Sequence, residues 1–270
     1  MSYQPLAGKT AFITGSGRGL GRAIAEKLAS LGANVAIHDL SWTASSQYGE
    51  AADLGVVQAE VAQRYGVRVA AVTGNIGDRV AVPKMREDIE RELGPVDILV
   101  NCAGGDIGAA GGKPVPNTAL DIPMDDVEAL INSNLMGTIL MCKTFCPGMR
   151  ERRQGSVINI TSVAAHRGGA SAAMYATLKA AVVHYTRCMA AELQTFNVRV
   201  NALSPGLVKT ARFTATRTVN QAKMDATDTL DRYAEPEEIA DAVGFLAGPD
   251  SRFVHGQVLR VDGGTTLFPG

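Results

Sequence analysis

The chain has 270 residues, of which 46% are hydrophobic and 20% charged, and its formal net charge is −1. That composition is the ordinary one of a globular protein, and the length suits a single α/β domain of ~250 residues. The charge balance offers no long-range attraction for nucleic acid or an anionic membrane, and no apolar run approaches the ~20 residues needed to span a bilayer.

In chain order, short apolar runs alternate with amphipathic stretches. Strands are expected at 10–14, 34–38, 67–72, 96–100, 156–160, 198–203 and 258–261. Helices are expected at 19–31, 51–65, about 79–93, about 125–150, around Tyr175 and at about 236–247. Buried strands alternating with helices imply a parallel sheet covered on both faces, with right-handed connections. Nothing resembles a linker, so residues 1–270 are expected to form one domain. Two stretches stand out as loops bordering a site: Gly104–Pro123, rich in Gly and Pro, and a polar, mobile segment at about 209–233. Residues 1–9 lack a basic start followed by an apolar stretch, so the expected location is the cytoplasm. Cys102, Cys142, Cys146 and Cys188 form no Cys-x-x-Cys pair and have no histidine at zinc spacing; all four are expected to serve packing, and no metal site is expected.

The first strand runs into Thr14-Gly15-Ser16-Gly17-Arg18-Gly19-Leu20-Gly21, where a helix begins. Glycines there let backbone turn sharply and approach a pyrophosphate, which the helix N-terminus attracts. The pattern that fits is Thr-Gly-x-x-x-Gly-x-Gly, through Gly15, Gly19 and Gly21; the alternative is a strand–helix turn without a ligand. Asp39 follows the second strand, 24 residues after Gly15. A carboxylate there can accept both adenosine-ribose hydroxyls and repel a 2′-phosphate, so NAD is expected over NADP. Arg18 pulls toward NADP, but it can settle on the pyrophosphate or in solvent, and the next residue, Leu40, is not basic.

Tyr175 and Lys179 stand one helical turn apart on one face. A free tyrosine, with a pKa near ~10, is a poor base at neutral pH, and a neighbouring cation lowers that value. Ser162 lies 13 residues before Tyr175, where the fifth strand ends, at the edge where parallel sheets bind ligands. Asn134 interrupts an apolar helix and is expected to hold a water or bend that helix. Asn101-Cys102-Ala103-Gly104 follows the fourth strand, and Pro205-Gly206 follows the sixth.

The order Thr-Gly-x-x-x-Gly-x-Gly, Asn-x-Ala-Gly, Asn, Ser, Tyr-x-x-x-Lys, Pro-Gly resembles the short-chain dehydrogenase/reductase family, from Lys9 to Val261-Asp262-Gly263-Gly264. The resemblance implies a Rossmann-like doubly wound domain, a seven-stranded parallel sheet in the order 3-2-1-4-5-6-7, and a homotetramer. It implies the catalytic tetrad Asn134, Ser162, Tyr175 and Lys179. It also implies cofactor contacts at Gly15, Ser16, Arg18, Gly19, Leu20, Gly21, Asp39, Leu40, Asn75, Ile76, Asn101, Ala103, Gly104, Tyr175, Lys179, Pro205, Gly206, Val208 and Thr210. Asn75 departs from the aspartate common at its place, although its carbonyl oxygen can still accept from adenine. Cys102 and Leu178 are the other departures.

The expected reaction interconverts a secondary alcohol and a ketone with NAD. Tyr175 takes the proton, Lys179 lowers the tyrosine pKa, Ser162 supports the substrate oxygen, and Asn134 positions a relay water. Arg212, Arg217, Asn220, Gln221, Lys223, His166 and Arg167 favour a small polar substrate such as a sugar, polyol or hydroxy acid. The alternatives are an NADPH-dependent 3-ketoacyl reductase and a non-catalytic dinucleotide-binding protein.

Overall fold

The computed structural model describes residues 3–267. Strand interiors sort their side chains between two apolar layers. In β1 (Thr10–Ile13), Ala11 and Ile13 pack to one face and Phe12 to the other. In β2 (Asn34–Asp39), Val35 and Ile37 oppose Ala36, and in β4 (Ile98–Asn101), Ile98 and Val100 oppose Leu99. With β3 (Val69–Thr73), β5 (Gly155–Ile160), β6 (Val198–Pro205) and β7 (Val258–Val261), they form one parallel seven-stranded sheet in the order β3-β2-β1-β4-β5-β6-β7. The strand bounds differ from the sequence reading by no more than two residues.

Helices cover both faces. Ile24 and Leu28 of α1 (Gly19–Ser30), Leu54 and Val57 of α2 (Leu54–Tyr65), and Ile239 and Val243 of α9 (Pro236–Ala247) share one layer. Met85 and Ile89 of α3 (Ala81–Leu93), Phe145 of α5 (Gly137–Arg152) and Met189 of α6 (Ala173–Leu193) fill the other. Each such side chain contributes about 1.5–3 kcal/mol by leaving water, which is why the doubly wound arrangement follows from the alternation. The connections from β1 and β4 leave in opposite directions, and a crevice opens between their C-terminal ends.

Three departures from the sequence reading have physical causes. The second helix starts at Leu54 instead of Ala51, because the Asp53 carboxylate accepts the Val56 N–H at 2.9 Å and caps it there. A 3-10 helix, Ala44–Tyr48, precedes it. The single helix expected at 125–150 is α4 (Met124–Leu130), a π-helical segment Ile131–Met136, and α5. Ser133 Oγ donates to the Ala129 carbonyl at 2.9 Å and Asn134 Nδ2 to the Leu130 carbonyl at 3.0 Å, so side chains compete with the backbone ladder and widen the turn. Finally, Cys142 and Cys146 are buried as expected, but Cys188 is exposed on α6 and packs no core.

The segment at 209–233 carries α7 (Ala211–Thr216) and α8 (Gln221–Asp225). Its ends are drawn together by a Val208–Ala234 bridge, and Lys209 Nζ donates to Glu235 Oε1 at 2.6 Å.

Candidate active site

The phosphate turn is built by what its glycines lack. A Cβ on Gly21 would fall 2.1 Å from the Gly15 carbonyl oxygen, and one on Gly15 would fall 2.9 Å from Ala103 Cα. Gly17, outside the motif pattern, is needed as well: a Cβ there would lie 2.7 Å from Asp39 Oδ2. Thr14 Oγ1 accepts the Cys102 and Ala103 N–H groups, both at 3.0 Å, and ties this turn to the end of β4.

Ser16 turns out to be a structural lock. Its N–H donates to the His38 carbonyl at 2.7 Å, its hydroxyl donates to the Ile13 carbonyl at 2.7 Å, and it accepts the His38 N–H at 2.9 Å. Both donors of Ser16 are thus engaged within the protein, and a cofactor contact there would have to displace one of them. His38, which the sequence did not single out, completes the lock: Nδ1 accepts from Gly15 N–H at 3.1 Å and Nε2 lies 2.9 Å from the Gly74 carbonyl. Burial lowers the His38 pKa and keeps the ring neutral, as an acceptor Nδ1 requires.

At the end of β2, Asp39 Oδ1 accepts the Leu40 N–H at 2.8 Å, while Oδ2 is buried without a hydrogen-bond partner. Such an orphaned oxygen fits a ribose hydroxyl. Arg18 does not reach toward a pyrophosphate. Its Nε lies 4.0 Å from Asp39 Oδ2, Nη1 donates to Gln47 Oε1 at 2.7 Å, and the guanidinium stacks on Tyr48 at 5.0 Å. Glu50, also unforeseen, places Oε2 2.7 Å from the Gly19 N–H, and its Oε1 is buried and unpartnered. Gly19 opens α1, so Glu50 and a diphosphate compete for one donor.

Other expected cofactor residues frame the crevice. Leu20 is part-buried and Leu40 is 65% exposed. Asn75 Oδ1 already accepts the Gly77 N–H at 2.8 Å, closing a local turn and weakening the case for an adenine contact. Ile76 is buried against Gly137, where a Cβ would lie 2.4 Å from Ile76 Cδ1. Asn101 Nδ2 donates to Asn159 Oδ1 at 2.8 Å, and Asn101 Oδ1 is an unpartnered buried acceptor. On the far wall, β6 ends at Pro205, and the Gly206 N–H donates to the Val261 carbonyl at 2.9 Å. Val208 forms the loop-closing bridge, and Thr210 caps α7 with Cγ2 3.5 Å from the Cβ position of Gly19.

The four tetrad positions occupy the rigid side. Ser162 caps the 3-10 turn Val163–His166, its Oγ accepting the Ala164 N–H at 3.2 Å. Tyr175 and Lys179 share a face of α6, with Nζ 5.7 Å from the phenol ring centroid. Lys179 is 5% exposed and donates to the Ile160 carbonyl at 3.0 Å; burial pushes its pKa down to about 8. Burial raises the Tyr175 pKa, and Ser162, Arg212 and Arg217 oppose that rise. Ser162 and two loop arginines thus join Lys179 among the groups near the phenol that favour its ionised form. Asn134 is fully buried: Oδ1 accepts the Gly105 N–H and Nδ2 donates to the Gly105 carbonyl, both at 2.9 Å. Both ends of its amide meet Gly105, so the residue pins the loop beyond β4. Gly104, with φ 118°, lies against it: a Cβ there would fall 2.8 Å from Asn134 Oδ1.

Among the described residues no cluster of His, Cys, Asp or Glu could hold a metal ion, and no helix is long and apolar enough to cross a membrane. The residues present fit a nicotinamide dinucleotide along the crevice, from Asp39 through the glycine turn to Tyr175.

Residues 15–266 match the family model described as enoyl-(acyl carrier protein) reductase. Cyclohexanol dehydrogenase of Rhodococcus sp. (strain TK6) is 34% identical over 267 residues, 97% of each chain. A 3-oxoacyl-acyl-carrier-protein reductase of Aquifex aeolicus (strain VF5) is 35% identical over 261 residues, 96% of this chain and 98% of the other. Among solved structures, a protein provisionally assigned as gluconate dehydrogenase from Agrobacterium tumefaciens superposes with a TM-score of 0.81 at 28% identity, covering 99% of this chain and 100% of that one. A 7α-hydroxysteroid dehydrogenase complexed with NADH and 7-oxo glycochenodeoxycholic acid gives the same TM-score, 0.81, at 31% identity over 97% and 96% of the two chains. The order of glycines, the sheet and these likenesses agree, and the chain belongs to the short-chain dehydrogenase/reductase family of oxidoreductases.

Proposed function

We propose that this protein is an NAD-dependent dehydrogenase that interconverts a secondary alcohol and a ketone on a small polar substrate, as a single catalytic domain. The observation that carries the reading is the convergence of Ser162, Tyr175 and Lys179 at the C-terminal edge of β5 and along α6. NAD, when bound, would accept the hydride of the alcohol carbon. Asp39 would hold the adenosine ribose, the Gly15–Gly21 turn the diphosphate, and the Asn101–Gly104 and Pro205–Thr210 segments the nicotinamide end.

In the oxidative direction the Tyr175 phenolate takes the hydroxyl proton, and the Ser162 O–H donates to the substrate oxygen as its charge develops. Lys179 would bind the nicotinamide ribose; anionic surroundings there would recharge an ammonium whose pKa burial has pushed to about 8. Asn134 contributes by holding Gly105 in place.

NAD is preferred over NADP because a 2′-phosphate would meet the Asp39 carboxylate, which Arg18 at 4.0 Å only partly offsets. The competing reading, an NADPH-dependent 3-oxoacyl reductase, draws on the Aquifex relative and is opposed by the same carboxylate. The polar-substrate reading rests on the basic loop, and the gluconate dehydrogenase assignment of a structural relative agrees with it. We further place the protein in the cytoplasm as a homotetramer. Phe253, 100% exposed, and Phe245, 44% exposed, offer apolar surface for a second copy.

The test is a matrix of NAD and NADP against polyols, hydroxy acids, cyclohexanol and a 3-oxoacyl thioester, with nucleotide absorbance as the readout. NAD-linked oxidation of a polyol or hydroxy acid is expected; turnover restricted to NADPH and the thioester would defeat the proposal. Light scattering of the purified protein checks the tetramer.

A further inference from the structure

The loop beyond β4 carries an arginine against it. The Arg212 guanidinium, in the first turn of α7, lies against Gly105, where a Cβ would come within 2.3 Å of Nη2 and 2.9 Å of Nη1. Among the described residues it makes no hydrogen bond and no ion pair. Burial lowers its pKa, yet a guanidinium keeps its charge in proteins. The side chain is part-buried, and its fork geometry matches a carboxylate.

Two more cations, Arg217 and Lys113, stand exposed on the loops that border the crevice. Arg217 acts on Tyr175 and on Arg212, and its guanidinium stacks on Phe213 at 5.5 Å. The Lys113 pKa is lowered by burial and by Arg217 and Arg212, with Asp106 opposing. Asp106 is buried, and the Asn117 amide already donates to its two oxygens at 3.1 and 2.9 Å.

We propose that Arg212 binds a carboxylate on the substrate, so that the alcohol facing Tyr175 belongs to a hydroxy acid. This rests on the dehydrogenase reading above and narrows it. The hydroxyl proton goes to Tyr175, the hydride with its electron pair goes to NAD, and the product is an oxo acid whose carboxylate is unchanged. Arg212 also senses Arg18 and Tyr48 across the crevice, so a cofactor phosphate is the other source of anion. Gly105, Asp106 and Lys113 all lie on the loop beyond β4, beside Tyr175, which favours the substrate.

Calorimetric titration of the NADH-loaded protein with matched pairs decides the matter: D-gluconate against D-sorbitol, D-glycerate against glycerol, and L-lactate against 1,2-propanediol. At least one acid is expected to bind about 30-fold tighter than its neutral partner, the strength of a bidentate charged contact. Arg212→Met should reduce that preference to about threefold, and Arg212→Lys to an intermediate value. NADH affinity, measured separately by fluorescence, should move less than the acid's. Equal binding of acids and neutral partners overturns the proposal, as does the absence of acid binding at tens of millimolar. Loss of NADH affinity with an unchanged acid preference overturns it too, and assigns Arg212 to the cofactor. If an acid binds selectively but no alcohol is oxidised with either nucleotide, the anion site stands and the dehydrogenase reading falls.

Discussion

The two sides of the crevice are made in different ways. On one side, Ser162, Tyr175, Lys179 and Asn134 are carried by β5, α6 and the π-helical segment before α5, and their polar atoms are held by backbone groups such as the Ile160 carbonyl and Gly105. On the other, the segments 40–53 and 209–233 are held by side chains. Arg18 reaches Gln47, Lys209 reaches Glu235, and Arg232 makes a two-pronged contact with Glu238 at 2.7 Å in each bond. The backbone-anchored side holds groups suited to proton transfer, where small displacements are expensive. The loop side brings unsatisfied charge, Glu50 and Arg212, into the space where ligands go. Chemistry on the rigid wall and selectivity on the loops is the division this comparison implies, and substitutions on each side should therefore fail differently.

The largest loss is expected on the rigid side. Tyr175→Phe should lower kcat by about 10²–10⁴, the contribution of a positioned acid/base group, while the dissociation constant for NADH, followed by fluorescence, stays within about threefold. Near-normal turnover in this variant would remove Tyr175 from the mechanism. Asn134→Ala should act through structure instead. It leaves the buried Gly105 N–H unpaired at about 1–3 kcal/mol, while the Gly105 carbonyl keeps the Ile107 N–H at 3.0 Å, and a thermal scan should show a drop of roughly 3–8 °C. An unchanged Tm would mean that the loop beyond β4 has another anchor.

The same division governs what the sequence made legible. Gly15 and Gly21 could be read because a missing Cβ is a local fact of the turn, and Tyr175 and Lys179 because four residues on a helix is one turn. Partners from distant strands could not be read. Ser16 looked like a phosphate ligand until His38, 22 residues on, took its N–H and its hydroxyl. That the Ile160 carbonyl accepts from the Lys179 ammonium was equally out of reach. Glu50 carried no signal, and Arg212 stood only as one polar residue among several on its loop, since loop side chains go where tertiary contacts send them; the Val208–Ala234 bridge is one such contact. The only clue to Glu50 was the length of the segment between Asp39 and α2.

Selectivity for the nucleotide is set at the end of β2, where the 40–53 loop begins, and should change without loss of chemistry. Asp39→Ala removes the carboxylate that repels a 2′-phosphate, so kcat/KM with NAD should fall about 10- to 100-fold while that with NADP rises. A wild type that already prefers NADP would reverse the assignment. A smaller effect is expected at Glu50. Its carboxylate occupies the Gly19 N–H at 2.7 Å, and Glu50→Gln removes the negative charge that a diphosphate must displace. NADH binding should tighten by about 3- to 10-fold. Trp42, the one tryptophan of the chain, lies on the same loop and is 50% exposed. Its emission should change when NAD is added to the wild type, and weaker NADH binding by Glu50→Gln would show that the carboxylate supports the bound state.

The smallest predicted effect joins the two sides. Burial raises the Tyr175 pKa, and Arg217, from the loop, is among the groups pulling it down. Oxidation needs the phenolate, so kcat/KM for a neutral alcohol should rise with pH and level off at the apparent tyrosine pKa. Removing a cation destabilises the phenolate, so Arg217→Met should move that limb to higher pH, by a small amount because the charge is partly screened. Ketone reduction needs the protonated phenol, and in the variant it should persist to correspondingly higher pH. A shift to lower pH, or opposite shifts in the two directions, would mean that Arg217 does not act on Tyr175. The loop would then choose the ligand without tuning the proton.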